Sequence, residues 1–146
     1  MLEKADPKSL RVYPLLDMDT LPSFISFSGK LALLGDAAHP FLPHLAQGGA
    51  MAIEDGVALG VMMSQLGSPD EVPERLKLYN EARYERATRI QQYTRIVGGD
   101  SVKSDENSAD KLSLNEYMQY PYSHDEHLAS EAILHKYLTS KQTGVH

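Results

Sequence analysis

Residues 31–56, with the sequence LALLGDAAHPFLPHLAQGGAMAIEDG, decide what the rest of this chain of 146 residues can form. The run Leu31–Leu34 is short and continuously apolar, which is typical of a strand that is buried on both faces. Gly35 ends this run at a point where the backbone must turn sharply or approach another group closely. The segment therefore predicts a buried strand, a tight loop and then a helix.

The loop after the predicted strand carries residues that could hold a ligand. Asp36 lies at the carboxyl end of the strand, where open α/β sheets bind their ligands. Residues 47–49, Gln-Gly-Gly, open the next helix, and their glycines allow a ligand to approach the backbone. Because the first N–H groups of a helix lack partners within it, this position also favours negative charge. We expect an anion- and ring-binding site here.

Two helices are predicted after the loop. From Ala50 to Leu66 the residues are apolar on nearly every side, which indicates a buried helix, and Gly67 is a suitable terminator. Residues 68–71, Ser-Pro-Asp-Glu, form a capping pattern. Apolar residues then recur at helical spacing over about 73–97, so this stretch predicts a long amphipathic helix.

The predicted fold class is an α/β fragment with one or two short strands, a buried helix, a long amphipathic helix and a helical tail. The second strand would lie at Leu10–Leu16. We expect residues 1–98 to form a partial domain and the polar, charged residues 99–110 to form a flexible linker. Residues 111–146 are expected to form the helical tail, with its clearest helix at about 127–140.

Composition excludes some classes of partner and indicates the cellular compartment. A formal net charge of −6 argues against nucleic acid, which attracts basic surfaces. The sequence has no cysteine, which suits a reducing compartment, and its N-terminus has no apolar signal core. No apolar run approaches the length of a membrane span. These features predict a cytoplasmic protein that does not bind nucleic acid.

The string GDAAHPFLPHLAQGGAMAIEDG, residues 35–56, resembles the second FAD fingerprint of the single-component, salicylate-hydroxylase-like flavin monooxygenases. The stretches Tyr13–Asp17 and Leu21-Pro22 are similar to the residues that precede this fingerprint in the family. Leu78–Arg83 is similar to its following helix. The resemblance covers roughly residues 8–98 and, more loosely, residues 120–137, which are similar to the tail of fungal members.

The resemblance implies which residues contact FAD. Asp36 matches the aspartate that binds a ribitol hydroxyl, and Pro43 matches the proline beside the flavin. Gln47, Gly48 and Gly49 match the segment whose N–H groups face the pyrimidine edge of the isoalloxazine. The implied reaction is hydroxylation of an aromatic small molecule with NAD(P)H and O2, and a helix N-terminus stabilises the negative charge of the reduced flavin. The resemblance implies no metal ion, and it leaves the catalytic residues unknown.

The G-x-G-x-x-G turn, with which this family grips the ADP half of FAD, is absent from the sequence. The resemblance therefore implies the C-terminal part of such an enzyme, as a fragment or the product of a truncated gene. We expect it to be incomplete or inactive alone. It would bind FAD weakly, or together with a polypeptide that supplies the N-terminal half.

Other ionisable residues near the fingerprint have structural interpretations. We expect Glu54 and Asp55 to serve the helix dipole and packing rather than acid–base catalysis. His39 is expected to be a satisfied structural histidine, and Arg83 to be paired within the fold. His44 lies in the loop that would face flavin or substrate, so a direct role for it stays open.

The tail offers a competing set of residues. His127, Glu131 and His135 are spaced so that a helix would place them on one face, and His124 could join them from the preceding turn. Such a set could bind zinc or another divalent metal. A solvated amphipathic face is the alternative interpretation.

Three functions stay open at this point. The first is the flavin-ring side of an FAD-dependent aromatic monooxygenase. The second is a repurposed, flavin-free small enzyme of secondary metabolism, such as an isomerase or a cyclase. The third is a non-catalytic interaction module that recruits a partner through Leu31–Leu34.

Overall fold

A computed structural model describes residues 6, 8, 10–98 and 119–143. Three helices dominate this part of the chain, and we label them α1 (Gly48–Met63), α2 (Val72–Val97) and α3 (Glu126–Thr143). Short 3-10 helices lie at Gly35–Ala37, Pro43–Leu45 and Pro69–Glu71. The predicted linker, residues 99–110, lies outside the described residues.

The three helices share one core, with α2 antiparallel to both of the others. Arg83 contacts Glu54 in α1 and Glu126 in α3, whereas Arg75, two turns earlier, contacts Met62 in α1 and Tyr137 in α3. Between them lies a cluster of buried apolar side chains: Phe24, Ala38, Ala58, Val61, Met62, Tyr79, Ala87 and Leu134. The predicted tail helix therefore packs on the same core as α1 and α2.

A capped 3-10 helix leads directly into α2. The Ser68 hydroxyl accepts a hydrogen bond from the N–H of Asp70 at 3.2 Å, and Pro69 occupies the first position of the 3-10 helix. The α-helix begins at Val72, one residue before the predicted start at residue 73. Gly98 follows its last residue, and the N–H of Gly98 donates to the carbonyl of Thr94 at 3.0 Å.

Neither predicted strand is confirmed over the described residues. Leu31–Leu34 contributes to one isolated antiparallel bridge, between Ile25 and Ala32, and Leu31 is 54% exposed. Leu10–Leu16 has no regular structure, and most of its apolar side chains are exposed. A buried strand needs hydrogen-bonded neighbours on both sides, and the described residues supply a single short bridge.

The prediction that α1 is buried on nearly every side is wrong. One side carries the buried residues Met51, Asp55, Ala58, Val61 and Met62. The other side, which we call the open face, consists of Gly49, Ala52, Ile53, Gly56 and Gly60. Ile53 at its centre is 71% exposed, because no described element covers it. The helix also ends before the predicted Leu66, since Ser64 is extended and Gln65 has a left-handed φ of 54°.

Candidate functional site

Four of the five residues predicted to hold the cofactor line one surface cavity of about 480 Å³: Asp36, Pro43, Gly48 and Gly49. Phe41, Leu42, Ala46 and Ala52 complete its walls. Gln47, the fifth residue, lies outside the lining and is only 3% exposed. Its carbonyl accepts the N–H of Met51 at 2.9 Å as α1 begins. We call this space the cofactor cavity and residues 35–47 the cofactor loop.

Two tight turns shape the cofactor loop. Gly35 has a φ of +56°, and its carbonyl accepts the N–H groups of both Ala38 and His39 at 2.9 Å. This turn leaves Asp36 exposed at the cavity. The second turn, Pro43–Leu45, ends at Ala46, whose φ of 52° is left-handed and leads the chain into α1. Both turns use conformations that L-residues with side chains rarely adopt.

The electrostatics of the cavity suit a ring with one anionic edge. No side chain caps the start of α1 among the described residues, and its first turn contains no acidic residue. The unpaired N–H groups there carry the positive end of the helix dipole. Asp36 is the ionisable residue of the lining, and the other lining side chains are apolar or absent. The arrangement offers a hydrogen-bond acceptor, apolar walls and backbone donors.

Asp55, on the buried side of α1, holds the start of the cofactor loop. Its carboxylate accepts the N–H of Gly35 at 2.8 Å, His39 Nε2 at 2.7 Å and Arg83 Nε at 2.8 Å. Because a carboxylate only accepts, His39 Nε2 carries the proton in this pair. Burial raises the pKa of Asp55, but the hydrogen bonds from His39, Arg83 and the Gly35 N–H together lower it below its ordinary value.

The expectation that Arg83 is paired within the fold is confirmed. Arg83 is fully buried and pairs with Asp55, Glu54 and Glu126. Burial lowers the pKa of Arg83, but these carboxylates, Glu126 first, raise it above its ordinary value. Arg86 donates hydrogen bonds to both carboxylate oxygens of Glu54. The expectation for His39 is wrong in part, because its buried Nδ1 has no hydrogen-bond partner among the described residues.

His44 does not line the cofactor cavity. Its ring lies against Gly98 after the end of α2, where an added Cβ would meet His44 at 2.6 Å. A direct contact between His44 and a ligand in the cavity therefore requires the ring to leave this position.

The histidines of α3 line a different space. His127, Glu131 and His135 border a groove of about 750 Å³ between α1 and α3, and His127 Nδ1 lies 3.5 Å from Glu131 Oε2. Among the described residues, the one set of potential ligands within 4.8 Å of one another is Glu54, His124 and Glu126. Since Arg83 and Arg86 already neutralise these carboxylates, that set is a poor cation site.

Sequence reasoning missed two contacts between the C-terminal segment and this site. The Tyr122 hydroxyl donates to the carbonyl of Leu45 at 3.3 Å, and Glu126 pairs with Arg83. No local pattern could have shown either contact, because the paired residues lie 77 and 43 positions apart.

Comparison with known proteins explains the cofactor loop. Residues 26–94 match the family described as FAD binding domain. Over this stretch the chain is similar to the FAD binding domains of flavin-dependent monooxygenases. Among solved structures, the salicylate hydroxylase substrate complex is similar to 80% of the chain, with a TM-score of 0.67 and 27% identity. The resemblance drawn from residues 35–56 is thereby confirmed, as are FAD as the cofactor and the flavin-monooxygenase FAD domain as the parent fold.

Two curated relatives agree with this FAD-domain assignment. 3-Hydroxybenzoate 6-hydroxylase 1 of Aquipseudomonas alcaligenes is 46% identical over 83 residues, which is 57% of this chain and 20% of that protein. FAD-dependent monooxygenase cfoG of Aspergillus candidus is 43% identical over 101 residues, which is 66% of this chain and 22% of that protein. The chain thus spans about a fifth of these relatives and 29% of the salicylate hydroxylase chain. Over the described residues, no helix has the length and apolar character needed to cross a bilayer.

Proposed function

We propose that this chain supplies the flavin-ring side of the FAD site in a monooxygenase that hydroxylates an aromatic small molecule with NAD(P)H and O2. The observation that carries the proposal is the convergence of Asp36, Pro43, Gly48 and Gly49 on one cavity at the start of α1. The proposed substrate class is supported by the matched relatives, one of which is named as a 3-hydroxybenzoate hydroxylase.

Each residue has a role in this proposal that fits its position. Asp36 is exposed at the cavity and would accept a hydrogen bond from a ribitol hydroxyl. Pro43 would pack beside the flavin, and the backbone N–H groups of Gly48 and Gly49 would face its pyrimidine edge. Gln47 would act through its backbone, because its side chain is buried. Bound FAD supplies the redox chemistry, and the chain's part is to bind and orient it.

The proposal includes a partner segment that carries the G-x-G-x-x-G half of the site. The open face of α1 adjoins the cofactor cavity, since Gly49 and Ala52 belong to both. In the proposal, the segment that completes the dinucleotide site lies over this face, where glycines 49, 56 and 60 leave space for close packing. Leu31–Leu34 would then gain strand neighbours. The proposed domain organisation is a partial FAD domain in residues 1–98 with a helical tail in residues 111–146, and the proposed location is the cytoplasm.

A flavin titration tests the proposal. The purified chain is titrated with FAD while flavin fluorescence is followed, alone and after mixing with the N-terminal portion of a matched monooxygenase. We expect saturable binding that Asp36→Asn weakens about tenfold, since an amide oxygen accepts a hydrogen bond less strongly than a carboxylate, by about 1 kcal/mol or more. The matched control is Asp19→Asn, an exposed aspartate outside the cavity. Absence of binding in folded samples under both conditions contradicts the proposal.

A further inference from the structure

The described C-terminal segment, residues 119–143, reaches the cofactor loop by two routes. The first route is direct. The hydroxyl of Tyr122 donates to the carbonyl of Leu45 at 3.3 Å, in the turn that also carries Pro43. Leu45 is a buried residue of the cofactor loop, so this bond ties the segment to the end of the loop that leads into α1.

The second route is a chain of buried ionic contacts. Glu126, the first residue of α3, pairs with Arg83, and Arg83 Nε donates to Asp55 at 2.8 Å. The other oxygen of Asp55 accepts the N–H of Gly35 at 2.8 Å, immediately before Asp36. Ser130 fixes Glu126 by donating to its second oxygen at 2.7 Å. Glu126 is thus joined through two side chains to the opposite end of the cofactor loop.

Because the second route is buried, the loss of any one of its charged side chains disturbs the others. Arg83 and Asp55 are fully buried, and Glu126 is 6% exposed. A buried charge is tolerated only while it is paired and hydrogen-bonded, so the loss of one carboxylate forces the remaining partners to rearrange. Arg83 would then redistribute its hydrogen bonds between Asp55 and Glu54, and Asp55 in turn holds Gly35.

We infer that the C-terminal segment positions the cofactor loop, so that docking of α3 sets the affinity of the cavity for the flavin. This inference rests on the proposed function. Glu126 and Tyr122 are positioning residues in it, because neither lines the cavity and each acts through a residue of the loop or through Asp55. The two routes hold both turns of the loop, Gly35–Ala37 and Pro43–Leu45.

The first arm of the test measures FAD affinity in matched variants. We expect Glu126→Gln and Tyr122→Phe each to weaken FAD binding about fivefold or more, the lower end of typical coupling between sites. Glu131→Gln is the control, because it makes the same change on the same helix at an exposed carboxylate. We expect Glu126→Asp to restore part of the affinity. Wild-type affinity in both Glu126→Gln and Tyr122→Phe overturns the inference.

The second arm needs no flavin and separates this inference from the proposed function. Amide spectra of ¹⁵N-labelled protein are compared for Glu126→Gln and Glu131→Gln. We expect Glu126→Gln to move the Gly35 resonance, whereas Glu131→Gln, the same change at an exposed carboxylate of α3, leaves it in place. If the Gly35 resonance moves but the chain binds no FAD, the coupling between Glu126 and the cofactor loop stands, and only the proposed function is contradicted. An unmoved Gly35 resonance in folded Glu126→Gln overturns the inference.

Discussion

Ala46 holds a left-handed backbone conformation, with φ 52° and ψ 31°, at the edge of the cofactor cavity. An L-residue with a Cβ costs about 1 kcal/mol in this region, and glycine avoids that cost. We expect Ala46→Gly to raise the free energy of unfolding by about 0.5–1 kcal/mol, measured by urea denaturation. Ala132→Gly, at an exposed position of α3, is the matched control and should lower it by a similar amount. Destabilisation by Ala46→Gly would show that the turn is not strained.

The buried Asp55 predicts how stability depends on pH. The pKa of Asp55 is lower in the folded chain than the ordinary value of 3.8, so the folded state favours the ionised carboxylate. The stabilisation is therefore complete well above pH 3.8, and it is lost as the pH falls from 3.8 through the folded-state pKa. We expect Asp55→Asn to cost about 3 kcal/mol at neutral pH, because it leaves the partners of a buried carboxylate unpaired.

Urea denaturation of the wild type and Asp55→Asn across acidic pH checks this sign. The difference in unfolding free energy between the two proteins should shrink as the pH falls below 3.8. Glu81→Gln, the control, removes an exposed carboxylate, and its free energy of unfolding should follow that of the wild type at every pH. A difference that stays constant or grows in acid would contradict a lowered pKa for Asp55.

Four residues that line the cofactor cavity could be predicted because their pattern is local. Asp36, Pro43, Gly48 and Gly49 lie close together in the sequence, and the two turns between them are short. The partners of Arg83 could not be predicted in the same way. Its burial in α2 indicated a paired charge, but only folding brings Glu126 to it from 43 positions away.

At the scale of elements, the helices follow from the sequence and the strands do not. A helix satisfies its hydrogen bonds within its own segment, so α2 forms within one residue of its predicted start. A strand depends on neighbours elsewhere in the chain, and Leu31–Leu34 has one bridge partner among the described residues. The same dependence explains α1, since its apolar sequence fits burial on all sides while its open face has no described neighbour.

The turn that joins Ile25 to Ala32 packs directly on the start of α2. Gly29 has a φ of +64°, and a Cβ added there would lie 2.9 Å from the Cβ of Pro73. We expect Gly29→Ala to lower the free energy of unfolding by about 1–2 kcal/mol, from backbone strain and displaced packing. Gly67→Ala is the control, because the space at Gly67 accepts a methyl group at 3.6 Å from Glu71 Oε1. Equal stability of the two variants in urea denaturation would rule out a close contact between the turn and α2.

At the scale of the whole molecule, the described part of the chain is a helical scaffold with one uncovered side. Buried apolar side chains fill the core between α1, α2 and α3, and buried ion pairs join the three helices at Arg83. The open face and the cofactor cavity adjoin each other on the uncovered side. The relatives matched by the chain are several times longer than the stretch that they share with it.

Because the cofactor cavity is open on one side, we predict that the chain alone does not catalyse NADH oxidation. Flavin hydroxylation needs a site that excludes water from its reactive intermediates, and here the cavity is open beside Gly49 and Ala52. We expect NADH oxidation, followed by absorbance with added FAD and an aromatic acid, to match the rate with free FAD. Mixing with the N-terminal portion of a matched monooxygenase should raise the rate, and Asp36→Asn should lower that gain. Robust NADH oxidation by the chain alone, lost in Asp36→Asn, would show that the open cavity already encloses a working flavin.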